Sequence, residues 1–510
     1  MNYCKQNRRL LIISLICGLL VLSGCGTAYR SPSVQGADLS YLAMAGIGER
    51  YANIKENAVK SVADEPVSTL SIDVDTAAYA NVRRFINHGQ LPPVNAVRIE
   101  EMINYFDYSY RSPSDTTQPF SITSELGPTP WNSSSHLLHV GIKAYRPAPE
   151  EVPARNLVFL LDVSGSMATA NKLGLLKKSL RLLVNQLSHQ DRVSIVVYAG
   201  ASGLVLPATP GHQRQRIFTA LSELRAGGST NGGEGIQLAY EVARENFIQG
   251  GVNRVILATD GDFNVGITGT NNLLSLIQQK KRSGVGLSVL GFGMGNYNDE
   301  MLEKISNAGD GHAAYIDSLH EAQKVLVNEI GSTLHTVARD AKIQIEFNPQ
   351  QVSSYRLIGY ENRLLRAEDF KNDRVDAGDV GAGHTVTALY EITLNPVLRY
   401  QSERSVSQYG NELGLMKLRY KLPEESFSRE MMHPIMKEDA QAQLSNTSDN
   451  FRFSAAVAAF GQRLRNSQAV GDYSYAEIRQ LAKNSRGEDV DAHRSEFLKL
   501  VSLTESLQQY

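Results

Sequence analysis

Cysteine is scarce in this sequence: the 510 residues hold three, at positions 4, 17 and 25. Two of them fall in a stretch with the composition of a removable leader, so an exported chain would keep no pair to oxidise and would depend on burial for its stability. An excess of one charge is lacking too. Lysine and arginine number 51 against 53 aspartates and glutamates, a formal net charge of −2, which gives no long-range field to attract nucleic acid or an acidic membrane surface. There is no internal repeat. The apolar run at residues 10–22 is shorter than the roughly 20 residues of an ordinary membrane span. What remains is a long chain of ordinary composition, too long for one core, for which roughly three domains are expected.

Residues 1–25 read as an export signal, since Lys5, Arg8 and Arg9 precede the apolar run and "SGC" follows it. The ending Leu22-Ser23-Gly24-Cys25 resembles the bacterial lipobox. That resemblance implies lipidation of Cys25 and, because Gly26 rather than aspartate comes next, an address at the outer membrane. Residues 26–66 are mixed and weakly periodic, and they are expected to form a flexible tether with a root-mean-square span of roughly 35 Å.

From residue 67 the pattern tightens. Residues 67–150 are expected to be β-rich, with "STLSIDVDT" alternating like a strand and "AAYANVRRFINHG" forming a helix closed by Gly89. Between 153 and 335, near-continuous apolar strands such as "NLVFLLDVS" and "NRVILATD" alternate with amphipathic helices. In "NKLGLLKKSLRLLVNQLS", leucines 173, 176, 180, 183 and 187 recur at spacings of three and four. This rhythm predicts an α/β, doubly wound, mostly parallel sheet covered on both faces. Residues 336–510 return to strands and end in helices. The α/β block is therefore flanked by β-rich segments that belong either to one split domain or to two separate ones.

In a doubly wound sheet, ligands gather at the carboxyl ends of the strands. Asp162, Ser164 and Ser166 follow one such end, and Asp260 closes another. The glycine-rich loop "AGGSTNGGEG" presents Thr230 just before a helix. Two carboxylates and three hydroxyls from three segments are hard oxygen donors, suited to Mg²⁺ or to Mn²⁺, and the neutral hydroxyls leave the ion's charge partly uncompensated for an incoming carboxylate. The plainer alternative has Asp162 and Ser164 capping the following helix and Asp260 ending a strand in a turn with Gly261.

The ordered set Asp162-Val-Ser164-Gly-Ser166, Thr230 and Asp260 resembles the metal-ion-dependent adhesion site of von Willebrand factor type A domains, which have a Rossmann-like fold. The resemblance implies that Ser164, Ser166 and Thr230 are direct ligands, with Asp162 and Asp260 acting directly or through waters. The stretches "LSIDVDTAAYANVRRFINHGQLPPVNAVRIEEMINYFDY", "LATDGDFNVG", "LGFGMGNYNDEMLEKIS", "YRLIGYENR" and "DAGDVGAGHTVTALYEI" extend the likeness to the YfbK-type bacterial lipoproteins.

Other signals carry less. The glycines at 291, 293 and 295 do not fit GxGxxG, and "GASG" at 200–203 lacks the last glycine of a nucleophile elbow. Ser166 has no histidine beside it to act as a base. His136 and His139 fall on opposite faces of a strand. Asp73 and Asp75 share a face, which suits either a second cation site or, as the favoured reading, a polar strand edge with Asp75 or Thr76 capping the next helix. Asp262 is placed either in support of the metal loop or in a turn. The stripe in "FRFSAAVAAFGQRLR" is expected to pack in a core.

The expectation is a lipid-anchored envelope protein that binds, without catalysis, a protein or acidic polymer through a divalent cation. A scaffold with a structural or vestigial metal site is the alternative. A metal-dependent hydrolase ranks last, because the motif offers no general base beyond its own ligands.

Overall fold

The computed structural model describes residues 48–509 apart from 73–74, 114–116, 149–150, 230–231, 262–269, 296, 330–333, 376 and 397–408. The leader with Cys25, and also Asp73, Thr230 and Asp262, lie outside the described residues.

The strand Arg155–Asp162 sits inside a six-stranded sheet whose order is Ala313–Ile316, Gly286–Phe292, Val252–Thr259, Arg155–Asp162, Arg192–Tyr198, Ser202–Pro210. All neighbours are parallel except Ser202–Pro210, which runs antiparallel at the edge. The sequence reading missed this last strand. Pro207 and Pro210 argue against a strand, and Leu204 and Val205 are exposed, so little burial marks it.

The unbroken apolar run of the central strand has a direct cause, since alternate residues enter different cores. Leu157, Phe159 and Leu161 pack with Leu176, Leu180 and Leu183 of the helix Leu175–Asn185. Val158 and Leu160 pack with Ile236, Tyr240 and Ala243 of the helix Gly232–Glu245 on the opposite face. Both faces of the sheet are therefore dry.

The flanks build one structure. Val67–Ser71 from the N-terminal flank pairs with Leu364–Leu365 and Thr336–Phe347, and the sheet continues through Glu412–Lys421 to Arg429–Met436. A second antiparallel sheet orders Lys60–Ser61, Val352–Ile358, Thr385–Leu394, Asn132–Ala144 and Phe120–Thr129. The two face each other across a shared core that includes Leu70, Ile343, Ile345 and Met416 from one and Leu138, Val140, Tyr355 and Tyr390 from the other. The outer face of the second sheet is covered by helices Ile99–Asn104, Asp449–Leu464, Tyr475–Asn484 and His493–Gln508, whose core takes Phe453, Val457 and Phe460 of the "FRFSAAVAAFGQRLR" stretch. Among the described residues, no helix is long and apolar enough to cross a membrane.

Two expectations need correction. The segment expected to be a tether is packed from residue 48 onward. Lys60–Ser61 pairs with Val352–Ile358, Val62 is buried, and Asn57 donates to the carbonyls of Leu357 at 3.1 Å and Gly359 at 2.7 Å. Its anchors are mainly polar, so hydrophobic periodicity could not show them. Asp75 does not cap the helix Ala77–Asn87, and Thr76 makes no side-chain cap. Glu101 instead accepts from the Ala78 N–H at 2.8 Å, while Asp75 accepts from the Ala313 N–H of the parallel sheet at 2.9 Å. A carboxylate brought in from a neighbouring helix fills the capping role, and Asp75 links the two sheet systems instead.

Candidate metal centre

Asp162 ends the central strand and is fully buried. Both of its oxygens are engaged. Oδ1 accepts from the Ser164 N–H at 2.9 Å; Oδ2 accepts from Thr259 Oγ1 at 3.1 Å and from the Tyr198 hydroxyl at 3.3 Å. The two strands flanking Arg155–Asp162 thus supply Tyr198 and Thr259 to orient one carboxylate. Burial pushes the Asp162 carboxyl above its ordinary range, and the Ser164 hydrogen bonds oppose that shift without cancelling it.

The chain turns sharply after Asp162. Ser164 has extended backbone and makes no side-chain cap to the short turn Gly165–Ala168, so the helix-capping alternative finds no hydrogen bond here. Its Oγ lies 3.0 Å from Ser166 Oγ. The two hydroxyls are hydrogen-bonded to each other, and their separation is close to the roughly 2.9 Å between adjacent corners of an octahedron with bonds of about 2.0–2.1 Å.

The glycine-rich loop docks directly on this turn. Gly165 N–H donates to the Gly228 carbonyl at 3.0 Å, and Gly227 N–H donates to the Val163 carbonyl at 2.8 Å. Gly228 has φ +88°, and a Cβ there would lie 3.2 Å from the Gly200 nitrogen, so the close approach depends on glycine. Thr230, two residues further on, lies outside the described residues.

Asp260, also buried, follows Thr259 at the carboxyl end of the next strand. Its Oδ2 accepts from Lys172 Nζ at 2.8 Å. Lys172, which the sequence reading passed over, lies in a π-helical turn, Ala170–Gly174, that opens the helix Leu175–Asn185. Its signal was faint: one lysine at the head of a leucine-rich helix.

Asp162, Ser164, Ser166 and Asp260 thus converge on one sheet edge. Among the described residues, no group of three histidine, cysteine or acidic side chains forms a cation cage. A cation here would depend on the hydroxyls, and the donor chemistry fits a small hard ion.

Comparisons with known proteins identify the family. The chain is 46% identical over 472 residues to "Uncharacterized protein YfbK" of Escherichia coli K12, covering 90% of this chain and 81% of that one. The chain belongs to the YfbK family. The family model for the YfbK C-terminal region matches residues 332–507, the von Willebrand factor type A domain model matches 156–328, and a model described as von Willebrand factor matches 46–139. In this YfbK-family chain the parallel sheet is therefore the von Willebrand A domain. Mouse inter alpha-trypsin inhibitor heavy chain 4 is 30% identical over 184 residues, which cover 34% of this chain and 19% of that protein. The solved von Willebrand factor type A protein from Catenulispora acidiphila overlaps 78% of this chain and 91% of its own at 16% identity, with a TM-score of 0.44.

Proposed function

We propose that this YfbK-family chain is a lipid-anchored cell-envelope protein that captures an acidic group on a protein or polymer partner through Mg²⁺ or Mn²⁺. Ser164 and Ser166, with Thr230, would hold the ion, and Asp162 and Asp260 would hold it directly or through waters. A bound divalent ion would supply a partly uncompensated positive charge with room for an incoming carboxylate.

The observation that carries this reading is the Ser164–Ser166 hydroxyl pair, 3.0 Å apart beside a carboxylate whose oxygens already hold the loop in shape. Asp162 in this arrangement chiefly orients the turn, and a bound cation would replace the hydrogen bond between the two hydroxyls. No step of bond making or breaking is needed. The envelope address rests on the leader, on Cys25 as the lipidated residue, and on Gly26, which favours the outer membrane.

Thermal unfolding of the full chain in detergent provides the test, first in chelator and then across Mg²⁺ and Mn²⁺ titrations, beside Asp162→Ala. A saturable rise is expected in the wild type and none in the variant; at 100 times the dissociation constant the linkage is about 2.7 kcal/mol. A flat wild-type titration, with no heat of binding by calorimetry, would reject the cation reading.

One observation favours a second reading. The Lys172 ammonium already meets Asp260, as a permanent internal cation would in an envelope scaffold whose flanking sheets make the useful contacts. The same titration separates the two.

A further inference from the structure

We infer that Lys172 is a built-in third charge of the cation site and selects what the site takes: it disfavours the bare ion and favours the ion arriving with a carboxylate. This rests on the cation reading above and deepens it.

The lysine is placed by the fold rather than by chance. Its side chain is 9% exposed and that of Asp260 is 0%, so their 2.8 Å contact is shielded from water. Its stem crosses the backbone of the loop that follows Gly286–Phe292, at Gly293. A Cβ on Gly293 would sit 2.3 to 2.8 Å from three stem carbons, and Gly293 has φ +78°. Glycine thus meets two demands there, a left-handed backbone and a bare surface for the lysine to lie on. The loop itself is pinned, since Glu49 Oε1 accepts from the Gly295 N–H at 3.0 Å and Arg50 N–H donates to the Tyr297 carbonyl at 3.0 Å. The stem therefore lies on a backbone segment that is tied down at Gly295 and Tyr297.

The charge balance then decides the chemistry. Among the described residues, Asp162 and Asp260 bring two negative charges to the site, which a divalent ion alone would cancel. With Lys172 present, the same ion leaves one positive charge in a buried setting, where electrostatic interactions are stronger than in water. That surplus opposes entry of the ion by itself and is matched by one incoming carboxylate. The ion and the acid therefore help each other bind, by equal factors in both directions.

Isothermal calorimetry on the full chain in detergent would test this, with Mg²⁺ alone and then with acetate added as the carboxylate probe, for wild type, Lys172→Met, Lys172→Gln and Lys172→Arg. The two neutral variants are expected to bind Mg²⁺ about tenfold more tightly and to lose the tightening that acetate gives the wild type, while the arginine variant behaves as wild type. Lys172→Gln keeps a hydrogen-bond donor for Asp260, so the test stands even if Lys172→Met fails to fold. Neutral variants with wild-type Mg²⁺ affinity, or with weaker affinity because Asp260 has lost a prop, would overturn the inference and leave the cation site intact. A wild type that binds no Mg²⁺ would instead overturn the cation reading itself.

Discussion

Arg83 grips Asp317 with two hydrogen bonds, from Nε at 2.7 Å and from a terminal nitrogen at 2.5 Å. The first residue lies in the helix Ala77–Asn87 of the N-terminal flank, and the second follows the last strand of the von Willebrand A sheet. The same guanidinium reaches Glu321 at 2.7 Å, Glu496 of the C-terminal helix at 2.9 Å and the Tyr105 hydroxyl at 3.0 Å. One buried arginine therefore joins the inserted domain to both flanks.

Removing that charge would leave three carboxylates crowded in a largely dry pocket. Breaking a buried ion cluster by deleting one partner costs about 3–5 kcal/mol. Arg83→Met is expected to lower stability by that order in urea unfolding, and to let the von Willebrand A domain and the flanks melt at separate midpoints. A single unshifted transition would show that the hub holds nothing together.

Tyr198 and Thr259 touch Asp162 and are buried with it, away from any ligand. Tyr198→Phe removes the hydroxyl that donates to Asp162, and Thr259→Val removes both its bond to Asp162 and the one it accepts from the Gly261 N–H at 3.2 Å, each bond worth about 1 kcal/mol to the fold. Their larger effect is expected on Mg²⁺ affinity, a loss of about 10- to 100-fold, because an unsupported carboxylate no longer fixes the serine turn. Calorimetry on the folded variants would check this, and undiminished affinity would count against Asp162 as the organiser of the loop.

His139 supplies a pH dependence. It lies in the strand Asn132–Ala144, fully buried, with Nε2 2.9 Å from the Tyr110 hydroxyl, and burial pulls its pKa down to about 4. In the unfolded chain the imidazole titrates near its ordinary value of about 6.5. Above that value both states are neutral and nothing is lost. As pH falls from about 6.5 to 4, the unfolded chain binds a proton that the folded chain refuses, and stability drops by on the order of 3 kcal/mol. His139→Gln is expected to make the fall of the urea midpoint shallower across that window, whatever its cost at neutral pH, while His384 and His493, which burial pulls down to about 3 and about 4, supply the remainder.

Metabolic labelling with palmitate is expected to mark the full chain and not Cys25→Ala, with the labelled form recovered in the outer-membrane fraction. Labelling that survives the substitution would remove the lipobox from the reading.

Much of the von Willebrand A domain was legible in the sequence because both faces of its sheet are covered, so each central strand is an unbroken apolar word. The serine turn and Asp260 were legible for a related reason, since polar residues stand out at the end of such a strand. The edge strands Ser202–Pro210 and Arg429–Met436 escaped notice because one side of each faces solvent, and exposed Met432 and the prolines blur the alternation. Residues 48–62 escaped for another reason: their anchors are hydrogen bonds to partners up to some three hundred positions away, such as Asn57 to Leu357. Lys172 was hidden by the same distance effect, because nothing local in "NKLGLL" says that Asp260 and Gly293 will surround it.

The shared sheets also set an order in time. Ser68 pairs with Ile345, and His139 with Leu389, so Val67–Ser71, and the edge of Asn132–Ala144 left open by its hairpin with Phe120–Thr129, have no partner until the chain beyond the inserted domain has emerged. The inserted sheet, whose strands lie close in sequence, can assemble first. In an exported chain the earliest strands would wait with bare edges through the whole passage, and the folding step most exposed to aggregation, or most in need of a chaperone, would be the late closure of the β sandwich around a finished domain.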